Sequence, residues 1–201
     1  MDADVTPNIL PATNEDTVGP YFPIYFEDPE LMDISRLHHG LVVGPEGTPM
    51  ILRGRVLDRH KDLANGVLLE FWQANAKGVY DTPDNAGHPD LDPWFHGYGR
   101  IRTASGAFEF KSVKPGAAVG RAPCMTLTIF SDGISRIVTQ LFFDDEPANA
   151  ADPLLASLPP EDQGKLIARH DGRTRNGYEV YVIDIVMAGE GETPFFDDLA
   201  S

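Results

Sequence analysis

The chain has 201 residues, enough for one well-cored domain and short of any demand for two. Acidic residues outnumber lysine and arginine by 31 to 16, giving a formal net charge of −15. That balance repels phosphate backbones and anionic bilayers, so neither nucleic acid nor a membrane is an expected partner.

The first 49 residues form an irregular N-terminal arm. Pro7, Pro11, Pro20, Pro23, Pro29, Pro45 and Pro49 leave few windows in which a helix can run unbroken. The opening stretch has acids at positions 2 and 4 and no apolar run, unlike a secretory signal. Residues 19–26, GPYFPIYF, are too apolar for a free tail and are expected to lie against the core or another chain.

From residue 50 the hydrophobic period becomes two. Strands are expected at 50–57, 67–72, 107–113, 125–129, 136–143 and 178–187, bounded by Gly, Pro and Asp. The first two, separated by the turn-like Ala64-Asn65-Gly66, suggest a hairpin. Residues 161–169, with acids first and bases last, suggest one short helix. The pattern predicts an all-β chain, a β-sandwich domain over 50–201 with the arm packed on it.

Few residues announce chemistry. The six histidines, His38, His39, His60, His88, His96 and His170, include no HxH, HxxxH or HExxH pair, so they predict no metal site. The single cysteine, Cys124, precludes an intrachain disulfide and fits a reducing compartment. No acid or histidine lies between Val113 and Phe130 to activate it, and a small buried hydrophobe is the expected role. No GxSxG elbow, P-loop or GxGxxG is present, and no run reaches the roughly 20 apolar residues of a membrane span. A soluble cytoplasmic protein is expected.

Residues 52–80, LRGRVLDRHKDLANGVLLEFWQANAKGVY, resemble the signature of the intradiol aromatic-ring dioxygenases, with Lys61 where Gly or Ser is usual. LDPWFHGYGRIRT resembles that family's L-D-P-x-F-x-G-x-G-R-x-x-T, and Val113-Lys114-Pro115-Gly116 its I/V-K-P-G. Catalytic chains of the family hold a non-haem ferric ion with two tyrosines and two histidines, and phenolate oxygens suit so hard an ion. By resemblance the first tyrosine falls on Tyr80. The other three positions fall on Ala118, Cys124 and Thr126, none the family's ligand type. An improvised site of Tyr80, Cys124 and a distant histidine is disfavoured, because thiolates prefer softer metals. Tyr80 then reads as a packing phenol, and Arg136, close to where catalytic chains carry an arginine, as a surface or interface residue.

Thr17-Val18-Gly19-Pro20-Tyr21 and the tail Gly189–Asp197 are similar to the alpha-type chain of a two-chain member of the family. The resemblance implies a beta-type partner that carries Fe3+, a higher-order alpha-beta oligomer, and a catechol substrate, 3,4-dihydroxybenzoate. It also implies that Thr17, Gly19, Pro20 and Tyr21 line the partner's substrate pocket, with no catalytic residue and no metal in this chain. Asp132 stands where related chains carry an arginine, and it repels a substrate carboxylate, which leaves another catechol open. A stand-alone intradiol enzyme and a non-enzymatic binding sandwich remain the alternatives.

Overall fold

The alternating segments find hydrogen-bond partners both in the next strand along the chain and in strands far from it in sequence. The computed structural model describes residues 29–35, 44–103, 105–131 and 135–197. Within them the strands are β1 (Pro49–Leu57), β2 (Val67–Gln73), β3 (Tyr98–Thr103), β4 (Ala107–Val113), β5 (Met125–Ser131), β6 (Ser135–Phe143), β7 (Ile167–Arg173) and β8 (Glu179–Val186). Their order is β3-β2-β5-β6-β7-β8-β1-β4. The β3-β2-β5-β6 half is antiparallel throughout. In the other half β1 pairs β4 antiparallel and β8 in parallel. Among the described residues the strands of the two halves pair with each other only at the short β6–β7 ladder of Phe142 with Ile167 and Phe143 with Ala168. The architecture is an all-β sandwich whose sheet is nearly closed.

The core lies between the two inner faces. Met50, Leu52 and Val56 of β1, Val67, Leu69 and Phe71 of β2, Met125, Leu127 and Ile129 of β5, and Tyr181, Ile183 and Ile185 of β8 are buried in one cluster. Phe71 stacks flat on Phe110 of the opposite sheet, centroids 4.2 Å apart and planes 7° apart. Burying each such side chain contributes about 1.5–3 kcal/mol, so this face-to-face contact sets which side of every strand turns inward. Ile34 joins the same cluster, its amide donating to the Lys111 carbonyl at 2.9 Å.

Three expectations need correction. Residues 50–57 and 67–72 form no hairpin, because β1 and β2 lie in opposite halves. Both present an apolar inner face, and facing each other across the core buries both, while β4 and β8 satisfy the β1 backbone. The expected helix over 161–169 is an α-helical turn, α2 (Pro160–Gln163), then a 3-10 turn, Gly164–Leu166. Its last residues open β7, because pairing with β6 and β8 outweighs local helix preference. A further short helix, α1 (Pro153–Ser157), was not expected, nor were β3 and β7. In β3, Tyr98, Arg100 and Arg102 face outward and Ile101 inward; Arg100 and Tyr98 both donate to Glu70, at 2.7 and 2.8 Å.

Candidate functional site

The outer face of the β3-β2-β5-β6 half carries one cross-strand row that matters here. Tyr98 stands beside Trp72, Trp72 beside Thr126, and Thr126 beside Gln140. Beyond β2 the chain turns at Ala74–Gly78, where the Asn75 side-chain oxygen accepts the amides of Lys77 and Val79 at 2.9 and 3.0 Å. Gly78 has φ 81°, and a Cβ there would sit 2.0 Å from the Ala117 carbonyl oxygen. Only glycine permits that approach, and it brings the segment leading to Tyr80 against the one carrying Ala118. Tyr80 then returns over the sheet and stacks on Trp72, centroids 5.8 Å apart.

The other wall is ionic. Ala118 is half-buried, and its carbonyl accepts the Arg121 amide at 3.0 Å. Arg121 Nε donates to Asp152 at 2.9 Å and its Nη2 to Gln140 at 2.5 Å. The Asp152 side chain has no solvent exposure. It also accepts the amide of Ala122 at 2.9 Å and caps α1 through the amides of Leu154 and Leu155, at 2.9 and 3.3 Å. Cys124 is buried one residue before β5, and Thr126 is half-buried on it.

These groups feel one another. Burial pushes the Tyr80 phenol up to about 12, with Cys124 adding and the Arg121 cation opposing. Burial likewise pushes the Cys124 thiol up to about 11, against Arg121 and with Asp152. Burial would raise Asp152 too, but Arg121 and the backbone amides outweigh it and hold the carboxyl below the usual range. At neutral pH the site therefore presents a neutral phenol, a neutral thiol, a hydroxyl and a neutralised guanidinium–carboxylate pair.

This donor set does not fit a ferric ion. A hard trivalent ion needs several oxygen or nitrogen donors that give up protons readily, and here burial holds the Tyr80 phenol protonated while its neighbours are a thiol and a hydroxyl. Among the described residues no three His, Cys, Asp or Glu side chains are grouped to hold a metal.

Other expected residues are placed as follows. Thr17, Gly19, Pro20, Tyr21, His38, His39 and Asp132 lie outside the described residues. Arg136 is exposed, and the arginine at the site is Arg121. His60, His88 and His96 are exposed, whereas His170 is half-buried on β7 and bonds Glu179 at 2.8 Å. Arg121, Gln140 and Asp152 carried no sequence signal as a group. The Asp152-Pro153 step ahead of an apolar run, an N-cap signature, is a signal that could have pointed to Asp152. No described helix is long and apolar enough to cross a membrane.

The sequence matches the profile of a family described as dioxygenase over residues 19–189. It is 34% identical to the protocatechuate 3,4-dioxygenase alpha chain of Burkholderia cepacia, covering 94% of this chain and 98% of that one. It is also 34% identical to the beta chain from the same organism, covering 87% and 80%. Among solved structures, the dioxygenase domain of a carbohydrate-binding fusion from a cellulolytic Streptomyces superposes with a TM-score of 0.56 at 25% identity, covering 78% of this chain and 99% of that one. An intradiol ring-cleavage dioxygenase from Tetranychus urticae, 19% identical with a TM-score of 0.58 and covering 85% and 91%, shares the fold.

Proposed function

This chain belongs to the dioxygenase family, and on that premise we propose that it is the alpha-type subunit of a protocatechuate 3,4-dioxygenase, with the iron in a beta-type partner. The observation that carries the reading is the donor set around Tyr80. By the family resemblance, one phenol of the ligand type remains in Tyr80 and the other positions fall on Ala118, Cys124 and Thr126, beside the Arg121–Asp152 pair. Near-complete coverage of the alpha chain, against four-fifths of the beta chain, supports the same choice.

In this reading the complex cleaves 3,4-dihydroxybenzoate with dioxygen between the two hydroxylated carbons, giving 3-carboxy-cis,cis-muconate with both oxygen atoms retained. Ferric iron in the partner supplies the means of activating the ring. This chain supplies interface area, shape and exclusion of water. Thr17, Gly19, Pro20 and Tyr21 of the arm line the partner's pocket: Gly19 allows close backbone approach, Pro20 stiffens the segment, and Tyr21 offers an apolar body with a polar tip.

The test is metal content and oxygen uptake, measured on the isolated chain and on the chain co-expressed with a beta-type partner. Expected are no iron, no ferric–phenolate colour and no turnover alone, and activity that requires both chains. Equal identity to a beta chain favours a second reading, a stand-alone intradiol enzyme. Stoichiometric iron and ring cleavage by the isolated chain would establish it instead.

A further inference from the structure

β3 and β4 end the strand order without pairing to each other, and residues 29–35 of the arm lie across that open edge. Gly99 of β3 makes room for them: a Cβ there would fall 2.9 Å from the Leu31 carbonyl oxygen and 2.3 Å from the Phe110 ring. On the β4 side the Ile34 amide donates to the Lys111 carbonyl at 2.9 Å, and Asp33 forms a parallel bridge with Lys111. The Ile34 side chain is buried in the main core cluster. Ser35 then completes a clasp. Its hydroxyl and its amide both donate to Asp33 Oδ1, at 2.5 and 3.2 Å. Its Oγ also lies 3.1 Å from the hydroxyl of Tyr178, 143 residues away and one residue before β8. Since the Ser35 proton goes to the carboxylate, Tyr178 is the donor of that bond.

Three separate parts of the sandwich therefore grip one short segment: β3, β4 and the turn before β8. Ile34 alone supplies the apolar cover that the open edge needs. The polar clasp adds little area, and each hydrogen bond contributes only about 0.5–1.5 kcal/mol, but such bonds are directional and fix where the segment lies and which way it leads. Because the bridge to Lys111 is parallel, the chain comes to it from the Ala107 end of β4, the end away from Val113 and the Tyr80 site.

We propose that Ile34, Ser35 and Tyr178 are positioning residues for the reaction, holding the arm at the sandwich edge so that Thr17–Tyr21 reach the partner's substrate pocket. This deepens the alpha-type reading and rests on it. Tyr21 stands ten residues before Leu31, a reach of at most about 35 Å. With the clasp open, the next described anchor is Glu46, 25 residues from Tyr21, whose amide donates to Asp92 at 2.8 Å. The local concentration of a tethered group falls roughly as the −3/2 power of tether length, so this lengthening lowers it about fourfold.

The experiment has two arms. Hydrogen exchange on the full isolated chain reads the clasp: the Ile34 amide should exchange at least about tenfold faster in Ser35→Ala/Tyr178→Phe and in Ile34→Ala than in the parent. The Ser35/Tyr178 variant leaves the core intact, so the test stands even where Ile34→Ala does not fold. Turnover by the chain co-expressed with a beta-type partner reads the use of the clasp. Both variants should lose about fourfold in kcat/KM for 3,4-dihydroxybenzoate with iron content unchanged, and should lose nothing further once Tyr21→Ala is present, because the clasp acts through that residue's segment. A clasp that serves stability alone would add its loss to that of Tyr21→Ala, so additive losses overturn the proposal. So does faster exchange with kcat/KM unchanged, or an Ile34 amide that exchanges no faster in the variants. Iron and ring cleavage found in the isolated parent chain would instead overturn the alpha-type reading, and this proposal with it.

Discussion

Arg121 donates through Nε to Asp152 at 2.9 Å across 31 residues of sequence, and this ion pair fastens the segment entering β5 to the start of α1. The same carboxylate caps α1 and accepts the Ala122 amide, so a fully buried charge is satisfied by one cation and three backbone donors. Breaking one partner of such a pair leaves a desolvated charge behind, which costs far more than losing an exposed pair.

Asp152→Ala is therefore expected to lower stability by about 3–5 kcal/mol in urea denaturation, the cap included. The pH dependence has a definite sign. The folded carboxyl titrates below its unfolded value of about 3.9, so its contribution is complete above that pH and is lost as pH falls through the folded value. The parent should lose Tm in acid more steeply than Asp152→Ala.

Cys124 should be inert in the folded chain. With the thiol raised to about 11 and buried, reaction with a disulfide reagent at pH 8 is expected to be roughly a hundredfold slower than for a free thiol. Labelling should accelerate in denaturant. Rapid stoichiometric labelling of the native protein would contradict the burial.

Gly78→Ala places a Cβ against the Ala117 carbonyl at a left-handed φ. A cost of about 2 kcal/mol or more is expected. The near-UV circular dichroism of the Trp72–Tyr80 stack should weaken with it, because the two segments it joins are forced apart.

Tyr80→Phe tests whether the phenol still acts as a ligand. The ring keeps its stack on Trp72, and a stability change within about 0.5 kcal/mol is expected. Turnover by the reconstituted complex should be unchanged, whereas an iron-binding role would abolish it along with the metal.

Tyr21→Ala in the reconstituted complex is expected to raise KM or lower kcat several-fold while leaving iron content intact. Unchanged values of both constants would remove Tyr21 from the pocket.

Much of the sandwich was legible because period-two alternation is a local signal. The strand at 107–113 was read with the bounds it has, and those at 50–57, 67–72, 125–129 and 136–143 within two residues. β3 was harder, since its outward arginines look like a polar loop until Glu70 is placed beside them. At the site, the ligand positions rest on the family resemblance, while the burial of Cys124 could be read from the chain. Arg121, Gln140 and Asp152 could not, being 19 and 31 residues apart and joined only through folding.

By itself the sequence determined which side chains turn inward, the all-β class and the acidic surface, since all of these follow from residue identity and local spacing. Tertiary structure alone decided that β1 faces β2 across the core, that a buried carboxylate neutralises Arg121 beside Tyr80, and that Ser35 meets Tyr178. Strand partners and ion pairs are chosen by competition among distant segments for hydrogen bonds and burial, and no local pattern encodes the outcome.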